Sequence, residues 1–153
     1  MANEISTAGI ALKWAVETTA GTRPTTGFAT IPNIKSIPEF NPEPSTLEVT
    51  DLSDTEWKRY IPGLRDPGGA LGFTANSTNE FQTAWEAMVT AAETARAADK
   101  ACWIEIAIPG RDSFYFAGMP EALGFAGAEV DAVLEITGYI TPNQVAGFAA
   151  ASS

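Results

Sequence analysis

An α+β fold is predicted, mainly β, in which an antiparallel β-sandwich or barrel carries one flanking helix and a long projecting loop. Three observations predict it. Residues 10–17, IALKWAVE, alternate apolar and polar side chains at the period of a strand. Residues 77–100 carry the clearest helical stripe in the chain. Strand-like runs then follow the helix as they precede it, so the order reads strand, strand, long loop, strand, helix and three strands.

In the first strand Ile10, Leu12, Trp14 and Val16 share one face and Lys13 and Glu17 the other, as in a half-buried strand. TTAGTRPTTG (18–27) is turn-rich and reads as a loop. FATIPNIKSIP supplies short strands interrupted by Pro32 and Pro38, and proline, which has no N–H to give, confines them to edges or bulges. From Glu39 onward the composition shifts. Six acids (Glu39, Glu43, Glu48, Asp51, Asp54, Glu56) precede Trp57, then Lys58, Arg59 and Arg65 follow, and LEVT (47–50) is the one strand-like run. A connection this long and this irregular is either functional or disordered. Trp57, Tyr60, Ile61 and Leu64 argue against disorder, because disordered segments are poor in such residues.

ALGFTAN (70–76) is the next strand, and Ser77 with Glu80 has the form of a capping box at a helix start. Phe81, Ala84, Trp85, Met88, Ala92 and Ala95 then fall on one stripe, expected to be core, while Arg96 and Lys100 suit the negative end of the helix dipole. ACWIEIAIP, a PGRD turn and SFYFAG make a hairpin with Cys102, Ile104, Ile106 and Ile108 opposite Trp103 and Glu105. The final strand is expected over 129–141, with Val130, Ala132, Leu134, Ile136 and Ile140 on one face and Glu129, Asp131, Glu135 and Thr137 on the other. The reading is therefore one domain over 1–141, with 39–68 as its long loop or arm, and a flexible tail over 142–153.

Several function classes are disfavoured. No apolar run approaches the roughly 20 residues that span a bilayer, and MANEISTAGI has neither the basic start nor the apolar core of a secretion signal, so a cytosolic start is expected. One cysteine, Cys102, forms no internal disulfide and sits in an apolar run as a structural thiol. The absence of histidine removes the commonest general base and metal ligand. Glu105, Asp131 and Glu135 could be neighbours on one sheet face, and paired carboxylates can cleave glycosides, but a solvated face shows the same residues. DLSDTE (51–56) lacks the glycine and terminal acid of a helix-loop-helix calcium loop. Neither GALGF nor AGFAA completes a dinucleotide fingerprint. No catalytic residue, metal or cofactor is expected. Nineteen acids against nine bases, a formal charge of −10, also disfavour ordinary nucleic-acid binding.

The element order and three segments resemble phage tail tube proteins, the major tail proteins of long non-contractile-tailed phages. The segments are VETTAGTRPTTGFATIPNIKSI, LEVTDLSDTEWKRYIPGLRDPGGALGFTAN, of which IPGLRDPGG is the most specific part, and the helix after them; together they cover about residues 10–98. The resemblance implies a β-sandwich with a flanking helix that assembles into six-membered rings stacked as a tube, through which the genome leaves the capsid. It implies partners that are copies of the chain and other tail proteins, such as tape measure and terminator. DNA would pass without specific binding, no membrane or cofactor would take part, and the location would be the virion tail, assembled in the host cytoplasm. Tubes of contractile tails and of type VI secretion systems, and other ring-forming tail parts, are alternatives within the same logic. A monomeric β-sandwich module binding carbohydrate or serving adhesion, with Trp57 and Tyr60 stacked on sugar, is the alternative outside it.

On this reading residues 39–68 form an inter-subunit arm with Trp57, Arg59, Tyr60 and Arg65 as anchors, residue types that dominate binding hot spots. The competing expectation is a hairpin folded on its own domain with Trp57 and Tyr60 as satellite core. Glu105, Asp131 and Glu135 are expected to line the bore and keep DNA from adhering, the opposite of a phosphate-binding wall.

Overall fold

A computed structural model describes residues 6–152. Its elements are β1 (Ala11–Val16), β2 (Ala29–Ile31), β3 (Ile34–Ser36), β4 (Pro44–Glu48), β5 (Tyr60–Arg65), β6 (Leu71–Asn76), α1 (Asn79–Ala97), β7 (Cys102–Ala107), β8 (Ser113–Pro120) and β9 (Glu135–Ala149). They fall into two compact units, a body made of the chain up to Pro38 and from Ala70 on, and a second unit over Glu39–Gly69. No helix among the described residues is long and apolar enough to cross a membrane.

The body is an antiparallel seven-stranded sheet in the order β2-β1-β7-β8-β9-β6-β3. Its two edge strands are separated along the chain only by Pro32 and Asn33, so the sheet is nearly closed and barrel-like, with one helix: the mainly β, α+β class expected. Asn33 turns this corner at φ 64, a left-handed conformation that asparagine tolerates. Its side chain donates to Thr78 Oγ1 at 2.7 Å, and its carbonyl accepts from the Asn76 N–H at 3.0 Å. The corner is thereby tied to the start of α1.

Thr78, rather than Ser77, caps that helix, its hydroxyl accepting from the Phe81 N–H. Ser77 still belongs to the strand side, because its N–H is taken by the Leu134 carbonyl at 2.9 Å. The apolar stripe lands as expected: Phe81, Trp85, Met88, Ala92 and Ala95 are buried. All but Ala95 pack in one core with Leu12, Ile31, Phe73, Ile104, Phe116 and Ile140 from the sheet. Gly138 makes room for this packing, since a Cβ there would lie 2.6 Å from the Trp85 ring. Trp85 Nε1 donates to the Glu121 carbonyl at 2.8 Å. Cys102 is buried in the same core, and burial pushes its thiol up to about 12.

Two expectations about the C-terminal third are corrected. Residues 129–134 are not strand, and residues 142–149, expected as a flexible tail, form the second half of β9. The cause lies in β8, whose backbone from Ser113 to Ala117 pairs with Gln144–Ala149. Pro142 would ordinarily stop such a ladder, but register shifts between Tyr115 and Phe116 and between Ala117 and Gly118 carry the pairing past it.

Candidate assembly surfaces

The second face of the body's sheet, expected to be polar, is covered. Trp103, Tyr115 and Ala117 form a small cluster with Phe28 packed against it. Phe28 meets the Tyr115 ring edge-on at 5.9 Å, and the Arg23 guanidinium lies 4.2 Å from that ring's centre. The loop 18–28 therefore supplies a lid of its own. Beneath it Glu17, assigned from sequence to the polar face, is buried and accepts from Ala101 N–H at 2.8 Å, Gly21 N–H at 3.2 Å and Trp103 Nε1 at 3.1 Å. Burial raises its carboxyl and these hydrogen bonds, aided by Lys100, more than reverse that, leaving it below its ordinary value.

Glu105 is the larger correction. It does not stand on a solvated face but is fully buried. It accepts from Tyr115 Oη at 3.0 Å, Ser152 N–H at 3.1 Å and Ser152 Oγ at 2.6 Å, while Tyr115 Oη also reaches the Ala150 carbonyl at 2.7 Å. Burial and the adjoining Glu105 push the Tyr115 phenol up to about 12. The carboxylate holds residues 150–152 to the sheet. Asp131 lies elsewhere, in an irregular exposed turn at φ 60, and Glu135 starts β9 in an ion pair with Lys35. The three acids expected together are thus not brought together.

The unit Glu39–Gly69 is a two-stranded antiparallel hairpin, β4 with β5, in which Leu47 faces Ile61 and Glu48 faces Tyr60. None of its strand residues is buried. A two-stranded ribbon of this kind has no core of its own, so its order comes from the tip. There Arg59 Nε donates to Asp54 Oδ2 at 2.8 Å and its Nη2 to Asp51 Oδ2 at 3.2 Å. Thr50 Oγ1 accepts from the Arg59 N–H at 2.9 Å, and the Val49 N–H donates to the Arg59 carbonyl at 2.9 Å. Both acids sit below the ordinary carboxylate value: Asp51 through hydrogen bonds from Ser53, Asp54 through the Asp51 N–H and then Arg59.

Of the four expected anchors, Arg59 is therefore committed within the hairpin, and Trp57, Tyr60 and Arg65 are exposed. Trp57 (80% exposed) and Tyr60 do not form a satellite core, and Leu64 stands at 92%. Lys58 and Arg65 have no ion pair among the described residues.

A second exposed apolar stretch escaped the sequence reading. Residues 121–134 carry Phe125 (79% exposed), Val130 (92%) and Val133 (71%) on a segment without regular structure. A cleft of about 700 Å³ opens beside it, lined by residues 126–129 and 132–137 with Thr74. Gly124 and Gly127 were the available signal that GFAGAEVDAVL is not one continuous strand. Contiguous exposed apolar surface of this kind marks interaction sites. Among the described residues no group of three or more His, Cys, Asp or Glu is placed to hold a metal ion.

No protein-family model matches the chain, and no curated protein matches it. Among solved structures the chain is similar to one in the cryo-EM structure of the anti-feeding prophage baseplate, six-fold symmetrised. The two share 9% identity at a TM-score of 0.56, over 94% of this chain and 95% of that one. It is also similar to one in the anti-feeding prophage cap, described as the tube-terminating cap, with 14% identity and a TM-score of 0.54 over 95% of this chain and 91% of that one. At these identities the likeness is one of fold, and it extends over nearly the whole chain.

Proposed function

We propose that the protein is a structural component of a phage tail-like particle, a subunit that associates with copies of itself into rings that stack as a tube. The observation that carries this reading is the hairpin unit, a folded element whose strands bury nothing while its tip is held in shape by Arg59. The two similar structures come from a particle with a baseplate and a capped tube, one of them six-fold symmetrised, which supports a virion-like setting and six-membered rings. Other tail proteins would be the further partners. Chemistry plays no part in the reading, which needs only shape, apolar contact and charge.

The same comparison favours a second reading, a ring at an end of a tube rather than the tube wall, since a baseplate and a cap are both end structures. In either case a net charge of −10 keeps DNA from adhering to the assembly. Lining of a bore is left to that overall charge, because Glu105 is buried in its own subunit and Glu135 shares its charge with Lys35.

Negative-stain microscopy of concentrated protein tests the proposal. Hollow cylinders of uniform width are expected; discrete rings that do not stack would favour the end component. Protein that stays singly dispersed at millimolar concentration would overturn both. Trp57→Ser with Leu64→Ser should abolish the assemblies while leaving thermal unfolding of the dispersed protein unchanged.

A further inference from the structure

We propose that the segment 121–134 of one copy is the seat for the β4–β5 hairpin of a second copy; the inference rests on the self-association reading and names its contact. Three independent properties of the two stretches match.

The first is the backbone. Among the described residues, 122–133 take part in no strand ladder and, apart from a turn at 130–131, their backbone is unpaired; the segment's long-range backbone hydrogen bonds lie only at its ends. There the Glu121 N–H donates to the Tyr139 carbonyl at 2.8 Å and the Leu134 carbonyl accepts from the Ser77 N–H at 2.9 Å. The segment contains no proline, so every amide in it can donate. The hairpin is complementary in this respect. β4 and β5 pair only with each other, which leaves each with one open edge, and an extended segment adds to such an edge as a further strand.

The second is apolar surface. Phe125, Val130 and Val133 on the segment, and Trp57, Tyr60 and Leu64 on the hairpin unit, are exposed on both sides of the proposed contact. The cleft beside the segment, walled in part by Val133, Leu134 and Ile136, is a socket for a large ring. Trp57 is the natural anchor, because aromatic side chains in pockets carry most of the affinity of an interface.

The third is charge. Residues 121–134 hold Glu121, Glu129 and Asp131 and no base, whereas 57–65 holds Lys58, Arg59 and Arg65 and no acid. The hairpin's other acids (Glu39, Glu43, Glu48, Asp51, Asp54, Glu56, Asp66) lie outside that stretch, so it is the open edge of β5, not that of β4, that suits the seat. Arg59 is spent on Asp51 and Asp54, so Lys58 and Arg65 are the bases available to a partner. Copies that each carry −10 repel at long range, and a basic patch set against an acidic one selects the single register in which they attract.

The experiment has two arms. A benzophenone amino acid replaces Leu64 in an isotopically light copy, which is mixed with a heavy copy lacking the probe, irradiated and mapped by mass spectrometry. Light-to-heavy adducts within 121–137 are expected; adducts elsewhere, or only within the light chain, would overturn the proposal. In the second arm Lys58→Glu with Arg65→Glu, and separately Glu129→Lys with Asp131→Lys, should each weaken self-association by about tenfold or more, since exchanging attraction for repulsion at two close pairs acts on affinity directly. Combining all four changes should restore it to within about threefold. Failure of the combination to recover, with every variant unfolding at the wild-type temperature, sinks the contact. Adducts in 121–137 without cylinders would remove the tube reading alone, and cylinders with adducts elsewhere would remove this contact alone.

Discussion

Glu105→Gln separates the carboxylate that holds the body together from those that merely charge its surface. The buried carboxylate accepts three hydrogen bonds, from Tyr115 Oη, Ser152 N–H and Ser152 Oγ. Hydrogen bonds to a charged group contribute about 1.5–3 kcal/mol each. Glutamine keeps one acceptor oxygen for the Ser152 N–H, and a hydroxyl of Ser152 or Tyr115 can turn to accept from its amide, but every bond in the network loses its charge assistance. A net loss of about 2–4 kcal/mol follows. For a domain of this size that corresponds to a fall of roughly 6–12 °C in the unfolding midpoint. The dependence on pH has a definite sign. Burial raises the Glu105 carboxyl, but the Ser152 hydroxyl, then the Ser113 hydroxyl, the Ser152 N–H and the Tyr115 phenol together outweigh burial, and the folded value ends below the ordinary 4.5. A depressed carboxylate contributes its full stability above the unfolded value and loses it as pH falls through the folded one. Calorimetry of wild type and variant should therefore show a constant gap from about pH 7 to pH 5, closing below about 4.5. A gap that is absent at neutral pH, or that persists undiminished to about pH 3, would refute the assignment.

Asp131→Asn, by contrast, touches no partner and keeps a side chain that tolerates φ 60, so its unfolding midpoint should match wild type in the same calorimeter. Gly138→Ala drives a methyl to 2.6 Å from the Trp85 ring and should destabilise the body by about 1–3 kcal/mol in chemical denaturation. Gly124→Ala, with nothing within 4 Å, is the neutral control. Arg59→Ala should leave the midpoint of the body unchanged yet expose 49–59 to limited proteolysis. Arg59→Lys should not rescue it, because a single ammonium cannot reproduce the fork that bonds Asp54 and Asp51 together; resistance to protease in both variants would count against the tip network.

What could be read in advance was whatever a local period encodes. The stripe from Phe81 to Ala95 repeats at the helical spacing, and the helix is where that stripe requires it. The alternation in 10–17 and in 102–108 likewise marks β1 and β7. Pairing is not a local property, and there the reading failed. Glu129–Leu134 alternates as well as any strand, but β8 takes its partner from 135–149, and no periodicity in either stretch reveals that choice. Pro142 and Gly147 look like strand breakers and are accommodated by bulges and by φ 81 at Gly147. Glu105 was misplaced for a related reason. Alternation puts it opposite Ile104 and Ile106, which is correct, but the cover over that face comes from 18–28 and 150–152, whose irregular backbone carries no pattern to read. In the hairpin the sequence left Trp57 and Tyr60 open between an exposed arm and a satellite core, and the commitment of Arg59 was not legible, because it depends on acids five and eight residues away.

The hairpin combines two properties that rarely coincide in a surface loop. Its tip is fixed by an arginine shared between two carboxylates, and its strands leave large apolar side chains uncovered. Fixing the backbone before contact lowers the conformational entropy lost on docking, so more of the apolar burial is realised as affinity. The seat at 121–134 has the opposite character, with apolar side chains and acids on a backbone that has yet to find its partners. Because the two surfaces differ, one copy that docks its hairpin on another still offers an empty seat, and the second copy still offers a free hairpin. Association through unlike surfaces cannot stop at two copies; it closes into a ring when the rotation permits and continues as an open helical filament when it does not. A patch that paired with itself would end at a dimer, and the stretch 57–65 laid on the same stretch of a second copy would set like charges together.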